Sequence, residues 1–110
     1  MIGKYLNKPP DIHPSVFIAD GARIIGAVSI GEGSSVWFNA VLRADINKIK
    51  VGRRVNLQDG CLVHVEDDRG VVIEDDVTVG HGAVIHACTI KKSVLIGMGA
   101  FILNGVVVGE

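Results

Sequence analysis

The feature that most constrains this chain of 110 residues is a six-residue period in its branched apolar side chains. The period starts at Ile12 and is unbroken through six positions to Leu42. It resumes at Val51 after three extra residues and at Ile73 after four more. One residue is missing between Ile85 and Ile90, after which the period continues to Val108. Neither an α-helix nor a hairpin strand has this spacing, so the chain is an array of short internal repeats.

Most repeat units also carry a small or medium side chain four residues after the large apolar one. Two inward positions in six residues suit a narrow parallel coil, in which each short strand hydrogen-bonds to its equivalents one turn above and below. The pattern resembles the hexapeptide repeat of left-handed β-helices, and this resemblance implies the hand and three units per triangular turn. We therefore predict an all-β fold, a single-stranded left-handed parallel β-helix of about five coils.

Composition agrees with this fold and excludes several others. Val and Ile together number 30 against 6 Leu, and Gly numbers 14, which favours strands and tight turns over helices. The 11 basic and 12 acidic residues nearly balance, so no nucleic-acid partner is expected. Residues 93–109 carry no charge and approach the length of a membrane span, but their glycines and β-branched residues predict strands, and no membrane contact is expected.

The repeats predict a single domain over residues 1–110, with residues 1–11 as an N-terminal cap and residues 12–110 as coils. The extra residues fall near 44–50 and 66–72, and both stretches are predicted to project as loops at corners. The last residues stop inside a repeat unit with no cap over the strand edges, so a truncated chain is expected. The first residues lack a long apolar targeting segment and the two cysteines form no CxxC pair, so we expect a cytoplasmic protein.

Repeat register places two histidines in one column of the coil. With about 18 residues per turn, residues of one column differ by that number plus any insertion between them. His64 and His86 differ by 22, which includes the four-residue insertion, and Arg43 falls one turn below His64. Adjacent turns lie about 4.8 Å apart, and two nitrogens on tetrahedral zinc lie about 3.3 Å apart, so a slight lean lets both imidazoles bind one ion.

A third histidine, His81, falls outside that column. It is predicted to stack over Asp59, and five extended residues, or about 16 Å, separate it from His86. One chain does not easily bring all three histidines together, whereas a closed three-fold assembly does so at every interface. We therefore predict a metal ion that bridges subunits. His13, which precedes Pro14 in the cap, is interpreted as a structural or solvent-exposed residue.

The order of these residues resembles that of the γ-class carbonic anhydrases. The matching segments are Arg43-Ala-Asp45, Asn56-Leu-Gln58-Asp59-Gly60, His64 and Gly80-His81-x4-His86. The resemblance implies a homotrimer of left-handed β-helices with zinc, or iron or cobalt, between adjacent subunits. It makes His64 and His86 the ligands from one chain and His81 the ligand from the next.

The same resemblance implies roles for the residues around the metal. Gln58 corresponds to the residue that hydrogen-bonds the metal-bound water or bicarbonate, and Asn56 to its supporting neighbour. Arg43 and Asp59 correspond to an ion pair between subunits. The implied reaction is reversible hydration of carbon dioxide to bicarbonate by metal-bound hydroxide, followed by export of a proton. The acidic shuttle loop of the family is short here and offers Asp67, and the family's C-terminal helix is absent.

Two other functions stay open at this point. A non-catalytic metal-binding or scaffold protein of the same family would keep the site without turnover, and a hydration assay distinguishes it. A hexapeptide acyltransferase would need one histidine as general base, and metal content distinguishes it. Cys61 is interpreted as core packing, and Cys88 has no second thiol near it in the sequence, so neither is expected to act as a nucleophile.

Overall fold

The fold is a triangular parallel coil, described here by a computed structural model for residues 1–109. The strands are numbered in chain order and form three faces. The first face consists of β3 (Phe17–Ile18), β5 (Ser35–Val36), β7 (Asn56–Leu57), β10 (Thr78–Val79) and β13 (Leu95–Ile96). The second face consists of β1 (Ile2–Gly3), the N-terminal halves of β4 (Arg23–Ile30) and β6 (Val41–Val51), β8 (Leu62–His64), β11 (Val84–His86) and β14 (Phe101–Ile102). The third face consists of β2 (Asp11–Ile12), the C-terminal halves of β4 and β6, β9 (Val71–Ile73), β12 (Thr89–Ile90) and β15 (Val107–Val108).

Every pair of neighbouring strands is parallel, and each coil lies in register on the one before it. On the second face, Leu42 pairs with Val63, Val63 with Ile85, and Ile85 with Ile102. These are the large apolar residues of the six-residue period, so the repeat count is confirmed residue by residue. The predicted left-handed β-helix of about five coils is therefore the fold of this chain.

The repeat also determines the core. Side chains alternate between the inside and outside of each short strand, so the two inward positions of each unit meet along the axis of the coil. Leu42, Val63 and Ile85 are fully buried, and so are the small residues Ala40 and Cys61. Because each inner coil is covered above and below by its neighbours, this stack forms one continuous apolar core, and the inward residues of the last coil, such as Ile102, are only partly buried.

Among the residues that the structure describes, Ser34 is the one buried polar side chain, and its hydroxyl both donates and accepts a hydrogen bond. Its Oγ donates to the backbone oxygen of Gly52 at 3.0 Å and accepts from the backbone N–H of Val55 at 3.0 Å. A buried hydroxyl without such partners would be strongly destabilising. Across residues 1–109, no buried side-chain nitrogen or oxygen lacks a hydrogen-bond partner.

The two insertions adopt different structures. Residues 44–50 do not form the predicted loop, because they continue as strand β6 with a bulge: Gly26 pairs with Ala44, and Val28 already pairs with Ile49. Ala44 and Ile49 are both buried, which anchors the two ends of the bulge in the core. Of the second predicted loop, residues 66–70 do form a loop, closed by a hydrogen bond of 2.9 Å from the N–H of Glu66 to the oxygen of Arg69. Val71 and Val72 instead belong to strand β9, because they pair with Ile49 and Lys50 of β6.

The ends of the coil are also strands. Ile2 and Gly3 pair with Ile24 and Ile25 of β4, so the first residues lie against the second face. The division between cap and coils at residue 12 stays a prediction, and residue 110 lies outside the described residues. The uncharged residues 93–109 contain β13, β14 and β15, as predicted. In residues 1–109 we find no helix of the length and apolarity that a membrane span requires.

Both cysteine thiols should be unreactive until the protein unfolds. Cys61 and Cys88 are free and buried. Burial, with a contribution from nearby Asp59, raises the pKa of Cys61 to about 12, and burial raises the pKa of Cys88. Since the thiolate is the reactive form, we expect no labelling by a disulfide reagent at neutral pH in the native state and two thiols per chain in denaturant. Rapid labelling of the native protein would contradict this core assignment.

Candidate metal centre

His64 and His86 lie side by side on the outside of the second face. Each follows a buried residue, Val63 or Ile85, so alternation along the strand points its ring outward. The two histidines are paired across β8 and β11, and Arg43 pairs with His64 one coil below. Nδ1 of His64 lies 3.1 Å from Nε2 of His86. The register count from the sequence is therefore confirmed for this column.

The outer nitrogen of His64 contacts a carboxylate delivered by the bulge in β6. Nε2 of His64 lies 3.0 Å from Oδ1 of Asp45, and the same carboxylate accepts from Arg43 at 3.2 Å and from the N–H of Ile46 at 2.8 Å. Burial raises the pKa of Asp45, but the hydrogen bonds from His64 and Ile46 outweigh it and hold the pKa below its usual range. Asp45 is therefore an ionised acceptor, and Nε2 of His64 donates to it.

The outer nitrogen of His86 contacts an amide that the sequence arguments missed. Nδ1 of His86 lies 2.6 Å from Oδ1 of Asn104, and Nδ2 of Asn104 donates to Oε1 of Glu66 at 3.1 Å. The register of the last coil explains the omission. Ile85 pairs with Ile102, so column arithmetic places Leu103 over His86, and Asn104 reaches the ring from one residue further on, at the corner.

These contacts leave two nitrogen lone pairs facing each other. When the rings are neutral, the protons lie on Nε2 of His64 and Nδ1 of His86, because both outer nitrogens face oxygen acceptors. The inner nitrogens, 3.1 Å apart, are then both acceptors, and this is the arrangement that a cation bound between them would stabilise. Two nitrogen ligands of tetrahedral zinc lie about 3.3 Å apart, so the pair fits two positions of a zinc site.

His81 lies apart from that pair, at the corner that follows β10. Its ring is half exposed, with Nδ1 at 3.8 Å from Oδ1 of Asp59, as the stacking prediction required. A groove of about 320 Å³ at this corner brings several predicted site residues together. Its lining residues are Trp37, Phe38, Asn56, Gln58, Asp59 and His81. One chain therefore presents two separate groups of predicted site residues, the imidazole pair on the second face and the His81 groove.

Among residues 1–109, no three His, Cys, Asp or Glu side chains are arranged to hold a metal ion. Asp67 is exposed in the loop of residues 66–70, where its backbone oxygen accepts from Asn47 at 3.1 Å. Arg43 pairs with Asp45 within the chain, so its predicted pairing with Asp59 of another subunit stays a prediction.

The repeat and the three-faced coil define a hexapeptide-repeat protein. A solved structure of a hexapeptide transferase family protein from Anaplasma phagocytophilum superposes with a TM-score of 0.77 at 31% identity, over 97% of this chain and 77% of that one. A Bacillus cereus protein provisionally called an acetyltransferase superposes with a TM-score of 0.99 at 50% identity, over 100% of this chain and 64% of that one.

Within this class, several curated relatives are named carbonic anhydrases. The chain is 46% identical to a carbonic anhydrase of Geobacillus kaustophilus over 110 residues, all of this chain and 60% of the relative. It is 48% identical over 108 residues to the mitochondrial γ-carbonic anhydrase 2 of Arabidopsis thaliana, covering 93% of this chain and 39% of the relative. No family model matches the chain. The chain belongs to the γ-carbonic anhydrase-like family of hexapeptide-repeat proteins, and it spans 60% or less of these two relatives.

Proposed function

We propose that this chain acts in a homotrimer that binds zinc, or iron or cobalt, between adjacent subunits and catalyses the reversible hydration of carbon dioxide to bicarbonate. The observation that carries the proposal is the pair of inner nitrogens on His64 and His86, which face each other at 3.1 Å. The third ligand is His81 of the next subunit, because no third group of the same chain completes the pair within residues 1–109. We also propose the cytoplasm as its compartment, which the two free cysteines favour.

When bound, the metal ion supplies a Lewis acid that can acidify water to a pKa of about 7. The chain's own residues then have separate tasks. Asp45 holds the ring of His64 in the orientation that a ligand needs, through the 3.0 Å contact to Nε2. Gln58 and Asn56 offer amide groups in the His81 groove to orient bicarbonate. Trp37 and Phe38 supply an apolar wall to that groove. Asp67, exposed in the loop of residues 66–70, accepts the exported proton.

Acetyl transfer is the second candidate, because two solved relatives carry acyltransferase-type names. An acyltransferase needs one histidine as a general base, whereas His64 and His86 are held as a pair through both of their nitrogens. A non-catalytic metal-binding protein is the third candidate, and it would share every contact described above. Binding of metal and turnover therefore have to be measured separately.

The deciding experiment is a metal analysis of the purified chain combined with a stopped-flow assay of carbon dioxide hydration. We expect about one ion per chain in a trimer, since three subunits have three interfaces. Hydration should disappear with chelator and return with zinc. Stoichiometric metal without hydration would identify the non-catalytic protein. Absence of metal, together with binding of acetyl-coenzyme A, would identify the acyltransferase.

A further inference from the structure

The strongest unassigned feature is a line of polar contacts that runs from the second insertion to His86. Glu66 accepts from Nδ2 of Asn104 at 3.1 Å, and Oδ1 of Asn104 lies 2.6 Å from Nδ1 of His86. We propose that Asn104 and Glu66 are positioning residues that hold His86 in the tautomer able to bind a metal. The inference rests on the proposed metal site, but the tautomer can be measured in the metal-free protein.

Glu66 determines which way the amide of Asn104 points. An amide group is nearly symmetrical in shape, so its two orientations differ mainly in their hydrogen bonds. In the observed orientation, Nδ2 donates to the carboxylate of Glu66. The reverse orientation would place the amide oxygen against a carboxylate that is acceptor-only when ionised, and this is unfavourable. The carboxylate therefore directs Oδ1 of Asn104 toward His86.

The orientation of Asn104 in turn determines the proton position on His86. An amide oxygen only accepts hydrogen bonds, so Nδ1 of His86 must carry the proton. Nε2 of the neutral ring is then unprotonated, and this is the nitrogen that lies 3.1 Å from His64. The opposite tautomer would place a proton on Nε2 and block it as a ligand. Hydrogen bonds of this kind to the second nitrogen commonly orient metal-binding histidines.

The second insertion therefore gains a role. It places Glu66 at the start of a closed turn, where the N–H of Glu66 donates to Arg69 at 2.9 Å. Asn104 is 38 residues further along the chain and reaches the same place from the corner after β14. Because Asn104 is exposed, its replacement removes little packing, and the variants below are expected to fold.

The first test measures the tautomer of His86 by ¹⁵N NMR in the metal-free full chain at about pH 8, above the ordinary imidazole pKa of about 6.5. We expect the proton on Nδ1 in the wild-type chain and a mixture of tautomers in Asn104→Leu and Glu66→Gln. Asp68→Asn is the matched control, since it removes a charge from the same loop without touching Asn104. An unchanged His86 tautomer in Asn104→Leu would overturn the proposal.

The second test measures zinc affinity by chelator competition. We expect Asn104→Leu to weaken zinc binding by about 10- to 100-fold, the usual effect of losing such a partner. Asn104→Asp alone places the new carboxylate next to the carboxylate of Glu66, and the two repel each other. In the double variant with Glu66→Gln, the carboxylate at position 104 accepts from His86, and the amide at position 66 donates to that carboxylate. The double variant should therefore bind zinc more tightly than Asn104→Asp. Equal affinities of the wild-type chain and Asn104→Leu would overturn the proposal.

The two tests also separate this inference from the proposed function. In one outcome, the wild-type chain binds no zinc while the Asn104→Leu variant loses the preference for a proton on Nδ1 of His86. That outcome would refute the metal site and support the positioning roles. A wild-type chain that binds zinc with the His86 tautomer independent of Asn104 would refute the positioning roles and leave the metal site supported.

Discussion

Chains carrying His81→Ala and chains carrying His86→Ala should each lack zinc, and a mixture of the two should regain it. In the bridging arrangement, each site takes His64 and His86 from one chain and His81 from the next. Every interface of a trimer made from either variant alone is then missing one ligand. Random mixing in equal amounts gives about one quarter of interfaces with all three histidines intact. A site built within one chain would give no recovery.

The two variants should differ from the wild-type chain in metal content and not in fold. The side chain of His81 is 53% exposed at a corner, so its loss removes little packing. Zinc per chain would be measured after the two variants are unfolded, mixed and refolded together, with each variant refolded alone as control. Circular dichroism would verify that all samples regain β-structure. Stoichiometric zinc on His81→Ala alone would refute the bridging site.

The six-residue period predicted both the fold and the His64–His86 column, because both depend on counting residues. A six-residue period fixes which side chains point inward, and parallel pairing carries that register from coil to coil. Counting fails where a coil departs from the regular length. The bulge of β6 brings Asp45 beside His64. The shortened last coil places Leu103 in register with His86, yet Asn104, one residue further on, makes the contact.

The roles of the predicted residues depend on contacts that register does not describe. Asp45 lies within the bulge of β6, directly after Ala44. No rule of spacing indicates that its carboxylate reaches Nε2 of His64 at 3.0 Å. Glu66 has the same difficulty, since it meets Asn104 across two coils. Gln58 and Asn56 in the His81 groove were identified only through the family resemblance, because half of their proposed site belongs to another subunit.

Gly26→Ala should destabilise the fold far more than an ordinary glycine substitution. Gly26 has a φ of 86°, and an added Cβ would meet the carbonyl oxygen and carbon of Ala44 and approach Tyr5 at 3.3 Å. The Ala44 atoms that the new Cβ would meet belong to the backbone, at the point where the bulge of β6 begins. They cannot move aside by a side-chain rotation. Strain at positive φ and overpacking together should lower the free energy of unfolding by at least about 2 kcal/mol.

Gly60→Ala is the matched control, because Gly60 has a similar φ of 69° at a corner but an added Cβ would meet no atom within 4 Å. Strain alone should lower its free energy of unfolding by about 1 kcal/mol. Urea unfolding at one fixed chain concentration measures both, since assembly would otherwise change the apparent stability. Equal losses would show that the Ala44 contact does not matter. A larger loss in Gly26→Ala, accompanied by weaker zinc binding, would link the bulge to the position of Asp45 and hence of His64.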